Sequence, residues 1–268
     1  MSAEGRVLII AGSDSGGGAG VQADVKTVTM LGGYAMTAIT AVTVQNTQGV
    51  FGVHPIPQDM IRDQIRVVLD DIGADAIKIG MLGDAATVET VATTLNDAAP
   101  DAPVILDPVM VAKGGHALLE DAAVDALKAL LLPRAALVTP NAPEASRLTG
   151  LPVHDEASQA AAGRALVALG AKAALVKGGH VAGTIVRDVL VIGDEAQTFA
   201  HPRIDTAATH GTGCTLASAI AAYVAQGASL AEAVPAARDY LIGAIRIAPG
   251  FGAGHGPLAH NWLLRLRS

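Results

Sequence analysis

Short runs of aliphatic and β-branched residues alternate along this chain with longer, alanine-rich segments that have helical spacing. This alternation is typical of an α/β fold in which helices cover both faces of a central, mostly parallel sheet. Six strands are predicted, at residues 7–11, 35–44, 76–79, 104–106, 136–138 and 173–176. Two further runs, at 185–191 and 198–201, predict a small hairpin at the sheet edge, because a Gly-Asp-Glu turn separates them.

The composition allows either one large domain or two small ones, and the absence of a linker, repeat or low-complexity tract favours a single domain over residues 1–268. A net charge of −7 without a dense basic run disfavours nucleic acid and anionic membranes as partners. A single cysteine excludes an intrachain disulfide and fits a reducing compartment. Because the N-terminus also lacks a signal-peptide pattern, a cytoplasmic location is expected.

Several predicted strands end in a residue with chemical or conformational potential. These residues are Gln45, Gly80, Asp107, Thr139 and Lys177. In open parallel sheets, ligands bind beyond the carboxyl ends of the strands. The strand ends therefore predict one shared cleft.

A glycine-rich turn follows the first predicted strand, with five glycines in the nine residues 12–20. It contains a G-x-G-x-x-A pattern, but no acidic residue occurs between Asp24 and Asp59 to bind the ribose of a dinucleotide. The spacing of a P-loop is absent as well. Glycine lets the backbone approach a ligand closely, and a helix N-terminus favours anions, so the turn is interpreted as a ligand-binding turn.

A second glycine-rich turn, at residues 210–215, precedes another helical pattern and carries the only cysteine, Cys214. Gly211 and Gly213 can aim backbone N–H groups at an anion, and the helix dipole is expected to lower the pKa of the thiol. An isolated cysteine is usually a small buried hydrophobe. The flanking glycines favour a functional role.

Oxygen-bearing residues at two strand ends predict a site for Mg²⁺. Asp107 follows one strand, and Asn141 and Glu144 follow another. Asn141 and Glu144 also fit a helix cap, which is the simpler interpretation of those two residues alone. The apolar run before Lys177 disfavours a solvated surface lysine. Helix-end anion sites, a lysine and these oxygen ligands together indicate nucleotide phosphoryl transfer.

These motifs make the chain resemble the ribokinase-like superfamily, and within it the hydroxymethylpyrimidine/phosphomethylpyrimidine kinases of thiamine biosynthesis. The matching segments are 11–14, 16–26, 41–46, 78–82, 106–110, 139–144, 177–180 and 209–215. The resemblance implies MgATP-dependent phosphorylation of 4-amino-5-hydroxymethyl-2-methylpyrimidine and then of its monophosphate. It also implies a homodimer, and the need for a monovalent cation stays open.

The resemblance further assigns roles by position. It places Gln45 on the aminopyrimidine edge, where an amide can both donate and accept, and it places Gly12, Asp24, Met81 and Val109 around the ring. It implies that Asn141 and Glu144, with Asp107 nearby, bind Mg²⁺ and its waters. It also implies that Lys177 binds the phosphates of ATP. The anion hole would consist of Gly211, Thr212, Gly213 and Cys214, with Thr209 also on the nucleotide side.

The anion hole departs from the wider superfamily in one residue. Many sugar kinases of this type have Gly-Ala-Gly-Asp, with the aspartate as base, where this chain has Gly-Thr-Gly-Cys. A phosphate acceptor is already anionic and needs no base, and a carboxylate beside it would repel it. Two alternatives stay open. One is a pyridoxal kinase, disfavoured because a second, lid cysteine is absent, and the other is a non-catalytic pyrimidine sensor.

Overall fold

The protein, described by a computed structural model over residues 4–111 and 120–265, is built around a twisted sheet flanked by helices. The strands in the described residues are β1 (Arg6–Ala11), β2 (Tyr34–Ile39), β3 (Ala41–Asn46), β4 (Gly49–Pro55), β5 (Ala76–Ile79), β6 (Val104–Leu106), β7 (Ala135–Val138), β8 (Ala173–Val176), β9 (Ile185–Ile192) and β10 (Glu195–Pro202). The helices are α1 (Gly20–Met30), α2 (Gln58–Asp71), α3 (Ala85–Ala98), α4 (Asp121–Ala126), α5 (Ala142–Thr149), α6 (Glu156–Ala168), α7 (Thr212–Ala225), α8 (Leu230–Arg246) and α9 (Trp262–Arg265).

The main sheet has the strand order β10-β9-β8-β7-β6-β5-β1-β2. The six strands from β8 to β2 are parallel, whereas β9 pairs antiparallel with both β8 and β10 and forms an edge hairpin with β10. The prediction of a mostly parallel sheet with an edge hairpin is confirmed. The parallel arrangement brings the carboxyl ends of its strands to one side of the molecule.

Helices cover both faces of the sheet, and alternate residues of each central strand point to opposite faces. In β1, Leu8 and Ile10 pack on the layer that contains α2, α3, α5 and α6. Val7 and Ile9 pack on the layer that contains α1, α7 and α8. The two glycine-rich turns are therefore each followed by a helix on the same face of the sheet, α1 and α7. No helix in the described ranges has the length and apolar composition needed to cross a membrane.

The prediction of a single strand at residues 35–44 is wrong. The segment is interrupted at Thr40, and the strands before and after it belong to different sheets. The N–H of Thr40 still donates to Ala11 of the main sheet, but the next strand, β3, pairs antiparallel with β4 instead. Strand β4 was not predicted from the sequence. Gln45 therefore lies on a separate two-stranded hairpin beside the cleft, and not at the end of a strand of the main sheet.

Close packing of α6 on the edge hairpin gives a stability prediction. A Cβ at Gly163 of α6 would lie 2.5 Å from Cγ2 of Val191 in β9. Glycine-to-alanine changes in exposed helices stabilise by about 1 kcal/mol, whereas we expect Gly163→Ala to destabilise by about 1–3 kcal/mol through overpacking. In urea unfolding, the double variant with Val191→Ala should lose less than the sum of the single losses. Additive losses would contradict the contact.

Candidate active site

The carboxyl ends of the parallel strands open into a cleft of about 580 Å³. The predicted site residues that line it are Gly12, Gln45, Met81, Asp107, Val109, Asn141, Glu144, Lys177, Thr209, Gly211, Thr212, Gly213 and Cys214. The structure corrects the placement of Asp24 beside a substrate ring. Its side chain is fully buried behind the cleft, and both carboxylate oxygens bond within the protein, to Lys78 and Ser218.

The first glycine-rich turn is occupied by a carboxylate of the chain itself. Asp14, which is 1% exposed, accepts hydrogen bonds from the N–H groups of Gly16, Gly18 and Ala19 at 2.7–2.9 Å. Burial raises the pKa of Asp14, but its bonds to His210 and to these N–H groups outweigh burial, so the pKa is lowered. The prediction that this turn holds a ligand anion is therefore corrected, because its donors are already used.

The same carboxylate ties the first turn to the second. Nε2 of His210 lies 2.8 Å from Oδ2 of Asp14, across 196 residues of sequence. The backbones also touch, since a Cβ on Gly211 would lie 1.8 Å from the carbonyl oxygen of Gly18. Gly211 has a φ of +78°, a conformation that glycine adopts without strain. The two turns therefore form one joint structure under the cleft.

The second turn keeps its donors free for a ligand. Gly211 caps α7, and the first N–H of this helix to bond back is that of Thr215, to the carbonyl of Gly211. In the described part of the chain, the N–H groups of residues 212–214 donate to no backbone or side-chain acceptor. A helix start of this kind, at the edge of a cleft, can hold an anion.

A lysine–aspartate pair lies directly against this helix start. Nζ of Lys177, at the end of β8, is 2.8 Å from Oδ1 of Asp107, at the end of β6. A Cβ on Gly213 would lie 3.1 Å from that Nζ and 3.3 Å from Oδ2 of Asp107. Burial acts to lower the pKa of Lys177, but the carboxylates of Asp107 and Glu144 outweigh it and keep the side chain charged.

Asn141 and Glu144 form a capping box at the start of α5. The Asn141 N–H donates to Oε2 of Glu144 at 2.8 Å, and the Glu144 N–H donates to Oδ1 of Asn141 at 2.9 Å. The helix-cap interpretation is thus confirmed, although both residues also line the cleft. Burial raises the pKa of Glu144 to about 7, against the opposing charge of Lys177.

Gln45 lies at the mouth of the cleft, on the hairpin. Its backbone is fixed by reciprocal 2.8 Å bonds with the hydroxyl of Ser15. Its side-chain amide lies 3.3 Å from Nε2 of His210. Deeper in, a Cβ at Gly12 would lie 2.6 Å from Cε of Met81, so Gly12 leaves room for that side chain. Gly12, Met81 and the amide of Gln45 thus line part of the same cleft.

Cys214 is not the activated thiol that the sequence predicts. Burial raises its pKa to about 11, and the charge of Lys78 and a bond from the Gly20 N–H only partly oppose this. Desolvation is the largest of these effects, although the partly exposed Cys214 also lines the cleft. At neutral pH the side chain is a neutral thiol.

Sequence reasoning assigns no role to Asp14, His210 or Lys78. The signals available are an aspartate within a glycine turn, which is typical of a local backbone-binding motif, and a lysine inside an apolar strand. Neither signal identifies a partner. The contacts of these residues depend on the fold, because each joins segments far apart in the sequence.

Comparisons with known proteins show that this chain is similar to kinases. A family model described as phosphomethylpyrimidine kinase matches residues 14–259. The hydroxymethylpyrimidine/phosphomethylpyrimidine kinase of Streptomyces coelicolor is 50% identical, over 96% of this chain and 95% of that protein. The thiamine biosynthesis bifunctional protein of Geobacter sulfurreducens is 51% identical over 96% of this chain, which spans only 52% of that protein's length.

Solved structures agree in fold over most of the chain. The pyridoxal kinase of Bacillus subtilis, solved as an ADP complex, has a TM-score of 0.90 at 36% identity, covering 98% of this chain and 100% of that one. The phosphomethylpyrimidine kinase of Clostridium difficile has a TM-score of 0.79 at 39% identity, covering 88% and 97%.

The contact between the two turns can be tested with a matched pair of glycines. Gly211 and Gly227 both have positive φ, but only Gly211 faces another backbone. Alanine at either position costs about 1–2 kcal/mol of backbone strain. We expect Gly211→Ala to lower the free energy of unfolding, measured in urea, by a further ~1–3 kcal/mol. This is on the order of the cost of overpacking a core.

Alkylation of Cys214 by iodoacetamide gives a local readout for the same pair. Gly211→Ala should change the alkylation rate, because it displaces the start of α7, whereas Gly227→Ala should not. Equal stability losses and equal alkylation rates would contradict the contact.

Proposed function

Because the chain belongs to the phosphomethylpyrimidine kinase family, it is an ATP-dependent kinase with a ribokinase-like fold, and we propose that it phosphorylates 4-amino-5-hydroxymethyl-2-methylpyrimidine and then the monophosphate. The observation that carries this proposal is the Lys177–Asp107 pair packed against Gly213 at the start of α7. A cation and a set of free N–H donors then meet at one point, as transfer of a phosphoryl group requires.

In this proposal the two ends of the cleft bind the two reactants. Lys177 contacts the phosphates of ATP, and the N–H groups of residues 211–214 bind the phosphoryl group as it is transferred. Thr209 and Thr212 lie on the same side of the cleft. Gln45 hydrogen-bonds the amino group and ring nitrogen of the pyrimidine, while Gly12, Met81 and Val109 pack around the ring.

The same proposal includes a magnesium ion held by Asp107 and Glu144, with Asn141 reached through water. The raised pKa of Glu144 supports it, because Lys177 alone does not neutralise two buried carboxylates. Within the described residues no three His, Cys, Asp or Glu side chains cluster as ligands. A bound ion would take its other ligands from water and phosphate, and would neutralise phosphate charge.

A homodimer in the cytoplasm completes the proposal. Its support is the set of exposed apolar side chains on the β3–β4 hairpin, where Val42, Val44, Phe51 and Val53 are each more than 40% exposed. Val42 and Val44 share one face and Val53 lies on the other, because it pairs with Thr43. Exposed apolar patches typically mark an interaction surface. The lone cysteine agrees with a reducing compartment.

Pyridoxal phosphorylation is a second candidate function, since the Bacillus subtilis pyridoxal kinase superimposes over nearly the whole chain. It is disfavoured because Cys214 is the only cysteine, so a second cysteine able to engage the aldehyde is absent.

A substrate panel tests the proposed function. ATP consumption by the purified chain should occur with the pyrimidine alcohol and with its monophosphate, and not with pyridoxal. Lys177→Met should reduce both rates about 100-fold or more, because it removes the charge beside the transferred group. Turnover of pyridoxal alone would contradict the proposal. Tight pyrimidine binding without any turnover would indicate a sensor.

Cys214 gives a second, more specific test. Cys214→Asp places a carboxylate where the neutral thiol now lies. It should reduce kcat/KM for the monophosphate at least about tenfold more than for the alcohol, since like charges repel and an aspartate can accept the alcohol proton. Cys214→Ser, which adds no charge, should affect both acceptors alike. Equal losses in Cys214→Asp would contradict the electrostatic explanation.

A further inference from the structure

Lys78 is a lysine buried in the centre of the main sheet, and the proposed phosphoryl transfer assigns it no role. It lies on β5 between Ile9 of β1 and Ile105 of β6, and it is 0% exposed. Its side chain extends toward the carboxyl end of the strand, where a Cβ on Gly80 would lie 2.8 Å from Nζ. The ammonium group therefore lies just under the floor of the cleft, which Lys78 helps to line.

The ammonium group of Lys78 is positioned by side chains of α1 and α7, the two helices that follow the glycine-rich turns. Nζ of Lys78 donates to Oδ2 of Asp24 on α1 at 2.7 Å. The other oxygen, Oδ1, accepts from the hydroxyl of Ser218 on α7 at 2.7 Å. Ser218 is one helical turn after Cys214, and Asp24 is about one turn after Gly20. Lys78 and Cys214 line the same cleft, and the charge of Lys78 acts on the Cys214 thiol.

Two lysines consequently contribute to the cleft. Lys177 lies against Gly213 with Asp107 as its partner, and Lys78 lines the same cleft, whereas its partner Asp24 does not. A buried ion pair is rarely more stabilising than apolar residues of the same size, so stability alone does not explain the second pair. Burial acts to lower the pKa of Lys78, but Asp24 outweighs it, and the lysine stays charged.

We propose that Lys78 is a positioning residue for the phosphoryl acceptor: held by Asp24 at the floor of the cleft, its ammonium group provides a fixed positive charge that favours an anionic acceptor. This inference rests on the proposed function. In the second transfer, a monophosphate oxygen bonds to the γ-phosphorus of ATP while the bond to the β–γ bridging oxygen breaks and ADP leaves. The acceptor carries about −1.5 to −2 charges at neutral pH. The neutral alcohol gains much less from the same field.

The decisive experiment compares Lys78→Met with the double variant Lys78→Met/Asp24→Asn. The single variant leaves Asp24 buried and unpaired and is expected to unfold at lower urea concentration. The double variant removes both charges, keeps an acceptor for Ser218, and should recover most of the unfolding midpoint. Its kcat/KM for the monophosphate should nevertheless stay about tenfold or more below that of the wild type, mainly through KM, while the value for the alcohol changes less than about threefold.

A distant ion pair provides the matched control. Arg6 and Asp75 pair at the opposite end of β1 and β5. The double variant Arg6→Met/Asp75→Asn should leave kcat/KM for both acceptors within about twofold of the wild type, since screened charges at that range have little effect. If activity of the Lys78→Met/Asp24→Asn variant on the monophosphate recovers with stability, or if both acceptors lose equally, the role of Lys78 is overturned.

Alkylation of the single cysteine tests the electrostatic part without turnover. The charged groups that act on Cys214 are Lys78 from β5, Asp24 from α1, Asp107 after β6 and Lys177 after β8. At pH 9, iodoacetamide should react more slowly in Lys78→Met and faster in Asp24→Asn, because thiolate is the reactive form. Equal rates in all variants would overturn the inference. Failure of the wild type to phosphorylate either pyrimidine would instead overturn the proposed function.

Discussion

The hydrogen bond between Asp14 and His210 is the constraint on which the cleft depends. It joins two turns that are 196 residues apart, and it places the starts of α1 and α7 side by side on one face of the sheet. A buried carboxylate is stable only if its charge is satisfied, and here three backbone N–H groups and an imidazole do so. Gln45, whose amide lies 3.3 Å from His210, and Gly213, three residues after His210, both line the cleft beside this contact.

The alternation of strands and helices was predictable because each central strand is a short apolar run between glycine-rich or polar segments. The strands at 76–79, 104–106 and 173–176 occur at the predicted residues. The break at Thr40 was not predictable, since residues 35–44 contain no glycine, proline or charged residue that would mark a turn. Whether such a run stays in one sheet depends on which edge is available for pairing, and that is a property of the assembled fold.

The candidate site was likewise predictable where it depends on sequence position, and not where it depends on the assembled fold. Sequence position placed Lys177 and Asp107 at one edge of the sheet, because parallel strands end on one side. It failed for the position of Asp24 and for the ionisation of Cys214, because both depend on burial. A helix dipole favours the thiolate, but desolvation acts in the opposite direction and raises the pKa of the partly exposed Cys214. A charge pattern in a sequence therefore identifies a site more readily than it predicts the ionisation within it.

The carboxylate of Asp14 acts toward the first turn as a ligand that cannot dissociate. A tethered group has an effective concentration far above that of any metabolite, so this carboxylate is not displaced by an exchangeable anion. In the second turn, the N–H groups of residues 212–214 donate to no acceptor in the described part of the chain. One turn is thus a template filled by the protein itself, whereas the donors of the other are left for a ligand that can exchange.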